Sequence, residues 1–124
     1  MIRIVGIQRA ERPEEEFVLL QNQGGMRLNL RGHVLLTDAA LDTGLAACSA
    51  HAFGDSEFIP PGAFILLRTS FGTPGWFRQK DGTVLYHAYM NQRACAWRDE
   101  YGQLHILGTQ HTYAERREPL LAMR

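Results

Sequence analysis

The chain has few of the features that identify a membrane protein, a secreted protein or a strongly charged binding protein. It has no apolar run of eighteen residues, which argues against a transmembrane helix. Residues 1–7 are too short and too soon interrupted by charge for a signal peptide. We therefore expect a cytoplasmic location by default, unless the native chain is longer. Thirteen acidic and thirteen basic residues balance, which argues against strong nonspecific nucleic-acid binding but not against a local basic patch.

Motifs for catalysis and for cofactor binding are also missing. There is no Gly-x-Ser-x-Gly sequence and no glycine-rich phosphate loop after a strand. The two cysteines, Cys48 and Cys95, could form a disulfide, but without an export signal we expect reduced thiols. Cys48-x-x-His51 has the spacing of half a zinc site, which His87 and Cys95 could complete only by coincidence of folding, whereas structural zinc sites use two close pairs. We expect no metal, no cofactor and no catalysis, and a thiol-dependent hydrolase ranks third among the functional alternatives.

What the sequence does contain is a series of short apolar segments separated by turn residues. The 124 residues suffice for one domain with a single core, and no long amphipathic helix is present. We expect a bulge at Gly6, a short helical turn within residues 39–52, and a long irregular loop over residues 69–83. The predicted strands are 2–7, 16–22, 28–38, 63–68, 84–86 and a hairpin of 93–98 with 103–107 around a turn at 99–102. A final edge strand over 109–113 is a further expectation, and the predicted core contains Val18, Leu20, Leu35, Ile65 and Leu66.

Several of these segments carry motifs in a characteristic order. Residues 16–22 read Glu-Phe-Val-x-Leu-x-Asn, residues 28–32 read Leu-x-Leu-x-Gly, and a short strand ending in Asp38 follows. An aromatic residue, a Pro-Gly corner and an apolar strand come next, and an acidic-x-x-Gly turn lies near the end. This order resembles the lamin tail domain, with one departure at His33, where that family commonly has tryptophan.

The resemblance extends over residues 4–107 and implies an architecture. It implies an all-β, immunoglobulin-like two-sheet sandwich of the lamin-tail type, to which we assign residues 1–115. The charged residues 116–124 are predicted to form a tail. That family occurs at the end of nuclear lamins and as a module in many bacterial proteins. The implied role is that of a noncatalytic interaction module that docks a protein partner or a second copy of itself.

Large aromatic residues in the predicted 69–83 loop are the main functional indication from the residues themselves. Phe71, Trp76 and Phe77 are displayed beside Arg78 and Lys80, and such loop aromatics often dominate protein interfaces. The alternative is that the rings fold back and plug the open end of the sandwich. We predict a partner-binding surface at Phe71, Trp76, Phe77 and Arg78, and open edge strands make a homodimer plausible.

A second functional hypothesis uses surface arginines. Lamin tail domains are associated with chromatin and DNA contacts, so the resemblance permits a weak DNA- or RNA-binding patch. Its candidate residues are Arg93 and Arg98 on a predicted strand and Arg116 and Arg117 on the tail. Glutamates interleaved with these arginines would cancel much of the field.

Overall fold

A computed structural model describes residues 1–44 and 49–108 of the chain. The predicted edge strand at 109–113 and the predicted tail at 116–124 lie outside these residues, as does Cys48. Among the described residues the secondary structure is mostly β-strand, with one short α-helix and two 3-10 turns at Pro13–Glu15 and Asp99–Tyr101. The elements are β1 (Ile2–Gln8), β2 (Phe17–Asn22), β3 (Leu28–Asn29), β4 (Val34–Thr37), α1 (Asp38–Thr43), β5 (Ala50–Ala52), β6 (Phe58–Ile59), β7 (Phe64–Arg68), β8 (Gly75–Arg78), β9 (Val84–Tyr89) and β10 (Leu104–Leu107).

The strands form three sheets that enclose one core. The largest sheet has the order β1-β2-β7-β9-β8, a second has the order β10-β4-β5, and β3 pairs with β6. Only β7 and β9 are parallel among the described strand pairs. Buried side chains of the large sheet and of the smaller sheets belong to a single hydrophobic cluster. The expected all-β sandwich is confirmed.

The alternation of buried and partly exposed side chains shows which face of each strand lies towards the core. Along β2 and β7 every second residue is buried, which is the period of a strand with one face inward. Val18, Leu20, Leu35 and Ile65 are fully buried, as predicted. The prediction for Leu66 is wrong, because Leu67 shares the inward face with Ile65 and Leu66 points to the other side.

The local turn chemistry also follows the sequence in several places. The register of β1 against β2 shifts between Ile4 and Gly6, which is the predicted bulge. The predicted helical turn is α1, where the Thr37 hydroxyl accepts a hydrogen bond from the Ala40 amide at 3.2 Å. The helix ends at Gly44, which has a φ of 70° that favours glycine.

The predicted hairpin of residues 93–98 with 103–107 is wrong. Residues 93–98 form no strand, and β10 pairs with β4 of the second sheet instead. The segment is held by the Glu16 carboxylate, which accepts hydrogen bonds from the amides of Ala96 at 2.7 Å and Trp97 at 3.2 Å. The Trp97 side chain is 1% exposed and fills the core. A side-chain contact therefore replaces the expected strand pairing.

The predicted irregular loop at 69–83 is also wrong in its second half. Gly75–Arg78 forms strand β8, which pairs antiparallel with β9 and ends the large sheet. The turn between them includes the predicted Asp81-Gly82 pair, and Gly82 has a φ of 87°. The chain crosses from β7 to β8 over residues 69–74, so β9 returns between these two strands.

Candidate functional site

The predicted aromatic site lies on β8, which is the last strand of the five-stranded sheet among the described residues and forms an open edge there. Trp76 is 38% exposed and Phe77 is 54% exposed, on a strand only four residues long. Consecutive side chains of a strand point to opposite faces, so the two rings lie on opposite sides of the sheet. An edge strand also presents unpaired main-chain N–H and C=O groups to the surroundings. The site therefore combines exposed aromatic rings with main-chain groups that have no strand partner within residues 1–44 and 49–108.

On the core side of the sheet, Trp76 belongs to a small aromatic and acidic cluster. Its ring lies 5.1 Å from that of Tyr86, measured between centroids, and its Nε1–H donates to the Glu57 carboxylate at 3.1 Å. The Tyr86 hydroxyl donates to Asp55 at 2.7 Å, and burial together with this hydrogen bond raises the pKa of Tyr86. Neither Asp55 nor Glu57 forms an ion pair within residues 1–44 and 49–108. Within these ranges the cluster therefore places two carboxylates without ion-pair partners at the rim of β8.

On the outer side of the sheet, Phe77 packs against histidine. The Phe77 and His87 rings are 4.5 Å apart, and His87 is 6.5 Å from the Tyr89 ring. Burial, assisted by the positive charge of Arg68, lowers the pKa of His87. The neutral ring is thus favoured beneath Phe77, which keeps this part of the outer face apolar.

The other two residues of the predicted site lie at either end of β8. Arg78 ends the strand, is exposed and has no ion pair among the described residues. Phe71 is 59% exposed in the segment that precedes β8, but it makes no ring contact with Trp76 or Phe77. A Cβ at Gly72, the next residue, would clash with the Tyr89 ring, so the chain passes close to β9 here. The structure brings Trp76, Phe77 and Arg78 together and leaves Phe71 apart.

Sequence reasoning missed the cluster that surrounds Trp76. Asp55, Glu57, Tyr86 and His87 reach β8 from the segment before β6 and from β9. A signal existed for the β9 residues, because Asp81-Gly82 between two aromatic segments is a hairpin pattern that pairs Trp76 with Tyr86. No comparable signal existed for Asp55 and Glu57, whose approach depends on how the sheets pack.

One of the two described arginines of the nucleic-acid hypothesis, Arg98, lies in an acidic neighbourhood. Arg98 forms an ion pair with Glu100 at 3.0 Å. Arg93 is exposed and has no ion pair in the described part of the chain, and Arg116 and Arg117 lie outside it. The nearby Asp99 is paired with Arg9 at 3.3 Å. Carboxylates therefore offset much of the positive charge around Arg98.

Cys95 is the thiol for which the structure gives an environment. Its Sγ–H donates to the Ala10 carbonyl at 3.1 Å, and no histidine is hydrogen-bonded to it among the described residues. Burial and the charge of Glu16 raise the pKa of Cys95, which disfavours the thiolate.

His51, a candidate metal ligand from the sequence, packs edge-on against Phe53 with 4.8 Å between ring centroids. In residues 1–44 and 49–108 no three potential metal ligands come together.

A groove of about 730 Å³ lies between β1, β3 and β10. Its lining includes Ile2, Ile4, Leu28, His33 and Ile106. The His33 ring faces the main chain and contacts the Leu30 carbonyl at 3.1 Å through Nδ1. No acidic side chain lines the groove among the described residues.

Comparison with known proteins finds no family model, no curated protein and no solved structure that matches the chain. The resemblance to the lamin tail domain therefore depends on the motifs in residues 4–107 alone. Within the described ranges, no helix has the length and apolar character needed to cross a bilayer.

Proposed function

We propose that this chain is a noncatalytic protein-interaction module, similar in architecture to a lamin tail domain, that binds an extended protein segment along β8. The observation that carries this proposal is the coincidence of an open sheet edge with exposed aromatic rings at Trp76 and Phe77. Addition of a strand to an exposed edge is a common mode of peptide recognition, in which main-chain hydrogen bonds supply affinity and alternate side chains supply specificity.

The charges around β8 indicate which side chains the bound segment would carry. On the core side, Glu57 and Asp55 favour a basic residue beside Trp76, where an aromatic face can also attract a cation. On the outer side, Phe77 and His87 favour an apolar or aromatic residue. The preferred segment is therefore extended, with a basic residue and an apolar residue on alternate faces.

A peptide selection followed by hydrogen exchange tests the proposal. We expect extended peptides selected from a random library to protect the main-chain amides of β8 from exchange and to lose affinity for the Trp76→Ala/Phe77→Ala variant. Leu41→Ala is the control, because Leu41 is a 47% exposed apolar side chain on α1, outside the five-stranded sheet. Selected peptides that protect other strands, or that bind the double variant as well as the wild type, would contradict the proposal.

A further inference from the structure

The hydrogen bond at the turn after β8 shows which main-chain groups are free at the edge. The main-chain amide of Gln79 donates to the Thr83 carbonyl at 2.9 Å, so the main-chain groups of Gln79 face the strand β9 side of the turn. In an antiparallel pair the residues alternate between facing the partner strand and facing away. The main-chain N–H and C=O groups of Gly75 and Phe77 therefore face β9. Those of Trp76 and Arg78 face the open edge.

Two copies of β8 can pair with twofold symmetry in only a few registers. Antiparallel neighbours point to the same face of a sheet, so a symmetric pairing has its centre at Trp76, Phe77 or Arg78. A centre at Trp76 places Arg78 opposite Pro74, which has no N–H to donate. A centre at Arg78 places Trp76 opposite Lys80, which lies in the turn beyond the strand.

The register centred on Phe77 uses every free group of the edge. It places Trp76 of each copy opposite Arg78 of the other, and all of their outward N–H and C=O groups then form four hydrogen bonds between the copies. It also places the two Phe77 residues opposite each other in a pair without main-chain hydrogen bonds, where side chains approach most closely.

The side chains agree with this register on both faces. On the core side, Arg78 of the second copy meets the Trp76 ring and the Glu57 carboxylate bound to it. Neither Arg78 nor Glu57 has an ion-pair partner within the described part of its own chain. On the outer side, the exposed Phe77 rings meet beside His87.

We propose that the occupant of the β8 edge is a second copy of this chain, paired antiparallel about Phe77, so that the two five-stranded sheets become one continuous sheet. This inference depends on the proposed function, because it names the partner for the same strand. The flanking Pro74 and the turn at Lys80 limit the pairing to the three residues 76–78 of each copy, so we expect a reversible dimer.

Charge reversal at Arg78 tests the register. Sedimentation equilibrium of the full chain, at concentrations up to about 1 mM, should give a monomer–dimer equilibrium. The variant Arg78→Glu should raise the dissociation constant about tenfold or more, because it places a carboxylate against Glu57 of the other copy. Lys80→Glu makes the same change in net charge outside the paired strand and should leave the equilibrium unchanged. The double variant Arg78→Glu/Glu57→Arg should restore the dimer. Far-UV circular dichroism checks that each variant is folded.

A cysteine at the centre of the register gives an independent measurement. With Cys48 and Cys95 replaced by serine, Phe77→Cys should form an interchain disulfide on mild oxidation, because the Cα atoms of such a pair lie about 4.5 Å apart, within the range that a disulfide spans. Lys80→Cys in the same background should not form one.

The inference is overturned if the chain is a monomer at every concentration, or if the dimer is unaffected by Arg78→Glu. If selected peptides still protect β8 in a monomeric protein, self-pairing is wrong and the proposed function stands. If peptides and a second copy both leave β8 unprotected, both proposals are wrong.

Discussion

The carboxylate of Glu16 accepts a hydrogen bond from the main-chain amide of Trp97, 81 positions later in the chain. The same carboxylate accepts from the Ala96 amide at 2.7 Å and from the Thr69 hydroxyl at 2.6 Å. Glu16 is 1% exposed, so its oxygens are satisfied by these groups and not by water. One buried acidic residue thereby attaches an irregular segment to the sheet and holds the Trp97 ring in the core.

The variant Glu16→Gln should destabilise the domain by about 1–3 kcal/mol. The amide keeps one acceptor but turns an NH₂ group towards main-chain donors, which leaves at least one buried N–H without a partner. Chemical denaturation measures the free energy of unfolding. Glu14→Gln is the matched control, because Glu14 is an exposed acidic residue of the preceding turn and should change stability little. Equal stabilities for the two variants would contradict the role given to Glu16.

The two adjacent leucines of β7 provide a test of which face of the sheet lies inward. Leu67 is fully buried in the core, whereas Leu66 is half-buried on the outer face. We expect Leu67→Ala to cost about 2–5 kcal/mol of unfolding free energy and Leu66→Ala to cost less than half of that. Each variant removes the same atoms from the same strand, so denaturation midpoints compare the faces directly. A larger loss for Leu66→Ala would reverse the assignment.

The error at Leu66 illustrates what the sequence can and cannot predict. The run Phe-Ile-Leu-Leu is apolar on both faces, so its composition predicts a strand but gives no inward side. The bulge at Gly6 was predictable because the apolar alternation slips there. By contrast, the sequence Ala-Cys-Ala-Trp in residues 94–97 resembles a strand locally. In the structure its amides donate to a carboxylate eighty positions earlier in the chain instead of to a neighbouring strand, and the local sequence does not indicate this.

The candidate site was predictable in part for similar reasons. Aromatic residues between glycine and proline indicated Trp76 and Phe77, but strand β8 is so short that its flanking residues suggested a loop. The acidic residues beside Trp76 come from another part of the chain, and no spacing in the sequence connects them to it.

The two tryptophans differ in environment and can be separated by fluorescence. Trp97 is 1% exposed, whereas Trp76 is 38% exposed at the sheet edge. In the Trp76→Phe variant, the remaining Trp97 should emit at shorter wavelength and resist quenching by acrylamide. In Trp97→Phe, the remaining Trp76 should emit at longer wavelength and be quenched readily. Both variants are measured at a dilution where the monomer dominates, and similar quenching constants there would contradict the exposed position of Trp76.

Acidification should destabilise the domain through two histidines. Burial lowers the pKa of His51 from 6.5, against a smaller opposing effect of Asp55, and burial with Arg68 lowers that of His87. The unfolded chain therefore binds more protons than the fold in the interval below 6.5. The part of the unfolding free energy that depends on neutral rings is present above pH 6.5. It is lost as the pH falls towards the lowered pKa values of the two histidines. Urea midpoints at about pH 7.5 and about pH 5 measure this slope.

Replacing both rings isolates their contribution to the pH dependence. The variant His51→Leu/His87→Leu should show a smaller fall in stability over the same interval, because its folded and unfolded states differ less in bound protons. His105 is the control position, since its Nε2 is hydrogen-bonded to Asp38 and it is neither of the two histidines whose pKa burial lowers. We expect His105→Asn to leave the loss on acidification at least as large as in the wild type. An unchanged slope in the double variant would show that neither buried ring resists protonation in the fold.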